Sequence, residues 1–321
     1  ATLVFTANFW RSAWKYRARG YRYCYWDCGT MLANLLALCS SLRLPANLVA
    51  GFVDERVDQL LRIRGQQEAA ICLVPIGSGG GPPSAIDMIE PAPLAPDTKD
   101  GSNDRIDYPE TDQVHQESSL MDEEEVVEWR GLLPDESGEE LQGPAGAGLT
   151  LLEANNLSSE PLGEVIRKRG STRRFARDPI SQAQFEAILA GSSRGSPSDF
   201  HGKDGESLVD MYTIVHAVDG VPAGSYYFDP QTSKLELLRE GDLRARAGHL
   251  CFEQALGADA SAVTFFMADL EAIFQQYGNR GYRAAQLEAG IVGGKMYLCA
   301  HSLGLGATGM TFYDDEVAEF F

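Results

Sequence analysis

The chain has 321 residues, 44% of them apolar, which is enough for two packed cores. Its net charge is −19, and residues 81–142 supply most of it, with 18 Asp and Glu against 3 Lys and Arg. Without clustered positive charge to neutralise phosphates, the balance argues against nucleic-acid binding.

From the N-terminus, Trp10 and Trp14 lie four apart and predict a short amphipathic helix over residues 9–16. A long, mostly apolar helix follows over 21–42, then a short strand or turn over 47–53, a short helix over 57–63 and a buried strand over 70–76. Ser78-Gly-Gly-Gly-Pro-Pro opens an acidic, Pro-rich stretch over 78–160 that reads as a solvated connector. Within it, Leu120, Val126, Val127 and Trp129 give an apolar side to a helix over 119–129. That helix suits an arm lying across a neighbouring domain.

Beyond the connector, a helix is predicted over 163–169. Ser181 and Gln184 form a capping box that opens a helix over 182–190. A meander of strands at 209–218, 225–228 and 235–238 turns first at Asp219-Gly220. A helix over 242–255, a strand over 262–267, a helix over 270–277 and a second long helix over 282–303 complete the order, with a loop and strand over 306–312. Strands and helices do not alternate strictly, so the expected class is α+β and not a doubly wound parallel sheet.

Part of the chain occurs twice. Arg19-Gly20-Tyr21-Arg22 recurs as Arg280-Gly281-Tyr282-Arg283, an offset of 280 − 19 = 261. At that offset Gly29, Ser41, Leu42, Leu44 and Ala46 meet Gly290, Ser302, Leu303, Leu305 and Ala307. With one residue of slack, Phe52-Val53-Asp54 meets Phe312-Tyr313-Asp314. An element found twice is not a solenoid and reads as two related tandem domains. The expected organisation is the C-terminal half of a first domain over 1–77, the connector over 78–160, and a second domain lacking its last strand over 161–321. The chain is accordingly expected to be a piece of a longer protein.

Six cysteines are present, and Cys24 and Cys28 share a helix face. With no second pair or histidine at zinc-site spacing they read as buried thiols; no metal is expected, and a reducing, cytoplasmic setting fits. No apolar run is long enough for a bilayer, so no membrane partner is expected. The five histidines do not cluster; His216 and His301 read as packed or solvated.

The most specific local cluster is Arg169-Gly170-Ser171-Thr172-Arg173-Arg174-Phe175. Two arginines four apart with a hydroxyl between them can converge on one phosphate. Spacing alone leaves a second reading open, a solvated basic helix end suited to the helix dipole.

Arg-x-Ser-x-Arg-x-Phe followed by Asp178-Pro-Ile-Ser181 resembles the opening of the FMN-dependent nitroreductase superfamily. VPAGSYYFDP (221–230) and RGYRAAQLEAGIVGGKMYLCAHSLGLGATGMTFYDDEV (280–317) resemble its SagB/ThcOx branch of dehydrogenases, which oxidise azolines in ribosomal peptides. WKYRARGYRY through LRLPANLVAGFVDE to CLVPIG resembles the back half of the same domain.

The resemblance implies a nitroreductase-like, mostly antiparallel central sheet packed by helices, in two tandem copies of which the first is only its C-terminal half. It also implies FMN bound between two copies, in an intrachain pseudo-dimer or a homodimer. Arg169, Gly170, Ser171 and Arg173 would hold the FMN phosphate and ribityl chain. Ser196, Pro197 and Ser198 would pass the flavin ring, and the amides of Gly309, Met310 and Thr311 would face flavin N5, with Ala50-Gly51 as the copy-one counterpart. Lys15 and Tyr16 resemble the catalytic pair of the azoline dehydrogenases, with Tyr277 at the same place in copy two; as residues alone they read equally as surface groups. Asp199–Asp210 replaces a Gly-rich Tyr-Pro segment common in the family, and Ile291 and Thr30 stand where His is common.

Three functions follow as expectations. One is a dehydrogenase moving hydride from a small-molecule or peptide substrate to flavin. Another is an NAD(P)H-dependent nitro or quinone reductase on the same fold. The last is a degenerate peptide-binding scaffold without turnover.

Overall fold

The computed structural model describes residues 1–63, 65, 67–77, 106, 108–131, 148–150, 160–201 and 207–321. In chain order they form β1 (Thr2–Asn8), α1 (Trp10–Tyr16), a 3-10 turn (Arg17–Arg19), α2 (Gly20–Ser41), α3 (Asp54–Leu61) and β2 (Glu68–Pro75). Next come α4 (Pro109–Glu117), α5 (Glu123–Gly131), β3 (Gly148–Thr150), α6 (Leu162–Lys168), α7 (Gln182–Ser193), β4 (Asp210–Val215), β5 (Gly224–Asp229) and β6 (Lys234–Glu240). The chain continues with α8 (Arg244–Leu250), α9 (Ala255–Asp259), β7 (Ala262–Met267), α10 (Leu270–Tyr277), α11 (Arg280–Ser302) and α12 (Asp314–Phe320). Two compact units result. The first gathers Ala1–Ser137, Gly195–Leu208 and Asp269–Ile291; the second gathers Gly138–Arg194, Val209–Ala268 and Val292–Phe321.

In the first unit β1 and β2 pair antiparallel, from Thr2 opposite Pro75 to Asn8 opposite Glu68, with an irregularity at Phe5/Thr6. β2 carries buried Ala69, Ala70, Ile71, Cys72 and Val74, of which all but Ala70 join Tyr25, Leu32 and Leu48 in one apolar cluster. Helices α4 and α5 lie in the acidic segment, yet Thr111, His115, Val126 and Trp129 are buried. Helix α5 starts at Glu123, later than expected, because Asp122 caps it, its Oδ1 accepting the Glu125 amide at 2.9 Å. Val127, expected on the apolar side, is 70% exposed. The rest of the expected connector, apart from β3, lies mainly outside the described residues.

The two long helices of the repeat meet in this unit at equivalent positions. A Cβ on Gly29 would lie 2.4 Å from the Leu287 carbonyl oxygen and 2.7 Å from the Gly290 carbonyl carbon. A Cβ on Gly290 would lie 2.5 Å from the Trp26 oxygen. Backbones this close leave no room for any side chain. Around the crossing, the Trp26 indole donates to Gln286 Oε1 at 2.6 Å, and Thr30 Oγ1 donates to the Gly290 carbonyl at 3.4 Å.

The second unit holds a five-stranded sheet in the order β3-β6-β5-β4-β7, antiparallel at every pairing. This is the mixed helix and antiparallel-sheet class that the sequence predicts. The capping box forms: the Ser181 side chain accepts from the Gln184 amide, and the Gln184 side chain accepts from the Ser181 amide. Ile214, Leu250, Val263 and Phe265 centre the core.

Two expectations are corrected here. The helix predicted over 242–255 is α8 and α9, broken where Phe252 and Glu253 adopt φ of 59° and 56°. The break folds α9 back on α8, so that a Cβ on Gly257 would lie 2.8 Å from the Ala247 carbonyl. The strand predicted within 306–312 is absent: only Ala307 makes a strand-like bridge, to Ser171, while Met310 and Phe312 turn onto the core.

Candidate functional site

Arg169 caps the end of α6 with ψ of 142°, which sends the chain out of the helix before the second arginine. The extended stretch that follows lies beside the loop after α11. Ser171 bridges Ala307 in parallel, and the Thr172 amide donates to the Ala307 carbonyl at 2.9 Å. Two side chains one turn apart on α11 fix the pair. Tyr297 Oη lies 3.2 Å from Ser171 Oγ and accepts the Gly309 amide proton. His301 Nε2 lies 3.0 Å from the Gly170 carbonyl, and its ring stacks on Tyr297. The structure therefore brings Gly170 and Ser171 beside Ala307 and Gly309, with Arg169 and Arg173 flanking them in sequence and Met310 and Thr311 following on the same loop. Arg173 is exposed and Arg169 partly buried. Met310 packs its side chain on the core, which anchors the loop from inside. Sequence reasoning missed Tyr297 and read His301 as merely packed or solvated; their i,i+4 spacing on the repeated helix was the available signal.

The other nominated residues lie in the first unit. Leu48 and Ser198 bridge in parallel; the Leu48 amide donates to the Pro197 carbonyl at 2.8 Å and the Asp199 amide to the Leu48 carbonyl at 2.9 Å. This sets Ser196, Pro197 and Ser198 alongside the stretch leading to Ala50 and Gly51. The Ala50 and Gly51 amides are not open, however. They donate to the two oxygens of the Asp199 carboxylate at 2.7 and 3.0 Å. Arg130 donates to the Gly51 carbonyl at 2.7 Å, and Trp129 packs against the Gly51 α-carbon. Burial pushes the Asp199 carboxyl above its usual range, against the pull of the two amides and of Arg130.

Lys15 and Tyr16 sit at the exposed end of α1, with Lys15 Nζ 5.0 Å above the Tyr16 ring. Tyr16 also meets Tyr23 edge-on at 4.7 Å. Tyr277 ends α10 and is only 3% exposed. His216, at the end of β4, is pushed down to about 4 by burial, with Arg244 nearby, and so is neutral near pH 7.

The repeat arginines form a buried polar centre in the same unit. Arg280 and Arg283 donate to Asp54 Oδ2 and Oδ1 at 2.7 and 2.6 Å. Arg280 also clasps the Ala50 carbonyl through Nε at 2.9 Å and a terminal nitrogen at 2.7 Å. Burial alone would raise the Asp54 carboxyl, but the two guanidiniums outweigh it and hold it below the usual range. His115 is pushed down to about 3, first by burial and then by Arg283, so its Nδ1 accepts from Arg283 at 3.1 Å. Nearby, Asp58 is pushed up to about 6, mainly by burial, while accepting the Ala70 amide at 3.1 Å. A second buried pair sets His201 Nε2 2.9 Å from Glu288, whose other oxygen accepts the Leu208 amide at 2.7 Å.

The second unit thus sets an arginine and hydroxyl strip beside a glycine-containing loop, a donor set that can hold an anion. The chain belongs to the nitroreductase family: that family's sequence profile matches residues 1–78 and 166–321. A Methanocaldococcus jannaschii protein named as a nitroreductase is 29% identical over 164 residues, covering 49% of this chain and 82% of that protein. A crystal structure from Anabaena variabilis, also named as a nitroreductase, superposes with a TM-score of 0.75 at 25% identity. It is matched by 99% of this chain, which spans 65% of its length. A Ralstonia eutropha nitroreductase structure is 25% identical with a TM-score of 0.39, over 54% of this chain and 83% of that one. Among the described residues no helix is long and apolar enough to cross a membrane.

Proposed function

We propose that the chain is an FMN-dependent oxidoreductase of the SagB-type dehydrogenase branch, acting in the cytoplasm on a small-molecule or peptide substrate, with a peptide azoline as the leading candidate. The observation that supports this reading is that Ser171, within the Arg169–Arg173 strip, and Gly309 both meet Tyr297 Oη, so that the strip lies beside the 307–311 loop in one unit. The donor set suits a phosphate: two guanidiniums and a hydroxyl on one strip. Room is also available. A Cβ on Gly170 meets nothing within 4 Å, and one on Gly309 meets only Tyr297 Oη, at 3.7 Å.

Bound FMN would accept the substrate hydride at N5 and return it to oxygen or another acceptor. The chain's residues supply the rest. Arg169 and Arg173 neutralise the phosphate, and Ser171, held by Tyr297, presents its hydroxyl. The loop carrying Met310 and Thr311 offers amide donors toward the ring, steadied by the Gly309 bond to Tyr297. Tyr16, with Lys15 Nζ 5.0 Å from its ring, is the candidate proton acceptor as hydride leaves. Tyr277, buried, is the weaker copy-two counterpart. The meeting of α2 and α11 at equivalent glycines supports an intrachain pseudo-dimer.

The test is colour and its chemistry. The purified protein should be yellow and release FMN on denaturation. Arg173→Ala should weaken retention by roughly 1.5–3 kcal/mol, the worth of one charged hydrogen-bonding partner. A colourless protein that does not take up added FMN would instead support the non-catalytic scaffold. Anaerobic bleaching by NADPH would move the assignment to a nitro or quinone reductase. Bleaching by an azoline peptide alone would support the dehydrogenase.

A further inference from the structure

We infer that the copy-one counterpart of the N5-facing loop is plugged by the chain itself, so that each chain takes one FMN, at the copy-two strip. The inference rests on the flavin reading above and extends it to stoichiometry and to the role of Asp199, Trp129 and Arg130.

The two loops are equivalent in sequence but differ in what meets them. Ala50 and Gly51 correspond to Met310 and Thr311 at the offset that aligns Phe52 with Phe312. Ala50 and Gly51 are buried, whereas Met310 and Thr311 are partly open and Gly309 is exposed. Consecutive backbone amides aimed at one point form an anion-binding nest. In copy one that nest is filled by both oxygens of the Asp199 carboxylate, at 2.7 and 3.0 Å.

Three further contacts hold the plug. Asp199 is fixed by the hydrogen bond its own amide donates to the Leu48 carbonyl at 2.9 Å, two residues beyond the Leu48–Pro197 hydrogen bond of 2.8 Å. Arg130 lies against it, Nε 3.5 Å from Oδ2, while donating to the Gly51 carbonyl. The Trp129 indole, 3% exposed, covers the remaining face: a single methyl on Gly51 would come within 2.6 Å of its ring. A space that refuses a methyl refuses an isoalloxazine ring.

A free ligand competing for these amides meets a carboxylate tethered beside them, at an effective concentration in the millimolar range or above. It must also break the Leu48–Asp199 pairing and displace a buried indole. At Gly309 the amide is held only by the neutral Tyr297 hydroxyl, and an added methyl would meet nothing nearer than that hydroxyl, at 3.7 Å. The plug is built from groups of the first unit alone.

The experiment measures FMN per chain and then locates it. Protein saturated with FMN, freed of excess and denatured should release one FMN per chain. Hydrogen exchange should show FMN slowing the peptide over residues 306–312 and leaving the peptide over 48–52, already protected, unchanged. Arg173→Ala should lower bound flavin toward zero at limiting FMN, not to half. Two FMN per chain, or slowing at 48–52 on FMN addition, would overturn the inference and leave the flavin reading intact. No FMN under any condition would overturn both. Because Trp129→Ala can perturb folding, the milder Asp199→Asn serves as the plug variant. It should speed exchange at 48–52 without FMN while 306–312 keeps its response; unchanged protection at 48–52 would remove Asp199 from the role.

Discussion

The crossing of α2 and α11 makes a prediction whose sign is contested between two effects. Replacing Gly29 by Ala within a helix should stabilise by about 1 kcal/mol on propensity alone. The structure says the opposite. The new methyl would sit 2.4 Å from the Leu287 oxygen, 2.6 Å from the Ile291 nitrogen and 2.7 Å from the Gly290 carbon. All three are backbone atoms and cannot rotate away. Ordinary contact begins near 3.4 Å, so the helices would have to part by about 1 Å. A gap of that size forfeits up to about half of each dispersion contact along the seam. Overpacking costs about 1–3 kcal/mol, and rigid neighbours place this site at the upper end. The net is a loss of about 2 kcal/mol for Gly29→Ala, and a similar loss for Gly290→Ala. Once the helices have parted for one methyl the second finds room, so the double variant should cost less than the sum. Urea unfolding followed by circular dichroism measures all three. Single variants as stable as the parent, or more stable, would refute the close crossing.

Other predictions concern single groups. Asp54→Asn leaves Arg280 and Arg283 buried without their carboxylate; breaking one buried pair costs about 3–5 kcal/mol, and the loss here should reach at least that, read as a drop in urea midpoint or in soluble yield. Asp58 favours its protonated form in the fold, so its contribution falls as pH rises from 3.8 through 6. Asp58→Asn should therefore gain on the parent across that window by up to about 3 kcal/mol and run parallel above it; a constant gap from pH 4 to 7 would show that Asp58 is not perturbed. Arg17 holds φ of 54° and ψ of −141°, nearly the conformation of its repeat equivalent Gly278 at 57° and −163°. Relieving roughly 1–3 kcal/mol of strain at the entropic cost of a glycine, Arg17→Gly should stabilise by about 1 kcal/mol, and a lower melting temperature would contradict this.

Much of the fold was legible because local rules sufficed. β7 and α10 fall on their predicted bounds, the first a β-branched and aromatic run, the second capped by Asp269, whose side chain accepts the Ala272 amide. The repeat located both long helices. What escaped depends on distant partners. β1 went unpredicted because its residues are mostly exposed or partly buried, and its partners in β2 lie 60 to 73 residues away. α4 and α12 are short and were overlooked, although Pro109 and the acidic first turn at Asp314 are start signals. In the site, Arg169–Arg173 and Gly309–Thr311 could be named from motif, but not that Tyr297 ties them together. Asp199 filling the Ala50 and Gly51 amides is a contact across 149 residues that no local pattern encodes.

The buried arginine centre also bears on how the protein is made. Asp54 leaves the ribosome 226 residues before Arg280, the first of the guanidiniums that neutralise it. Until then Tyr25, Leu32 and Cys72 have no Leu287 or Ile291 to close over them. At roughly 5–20 residues per second of synthesis, the nascent first unit waits on the order of ten seconds or more with an open apolar face. Chaperone engagement, and aggregation of chains truncated before residue 280, are the natural consequences of a core completed so late.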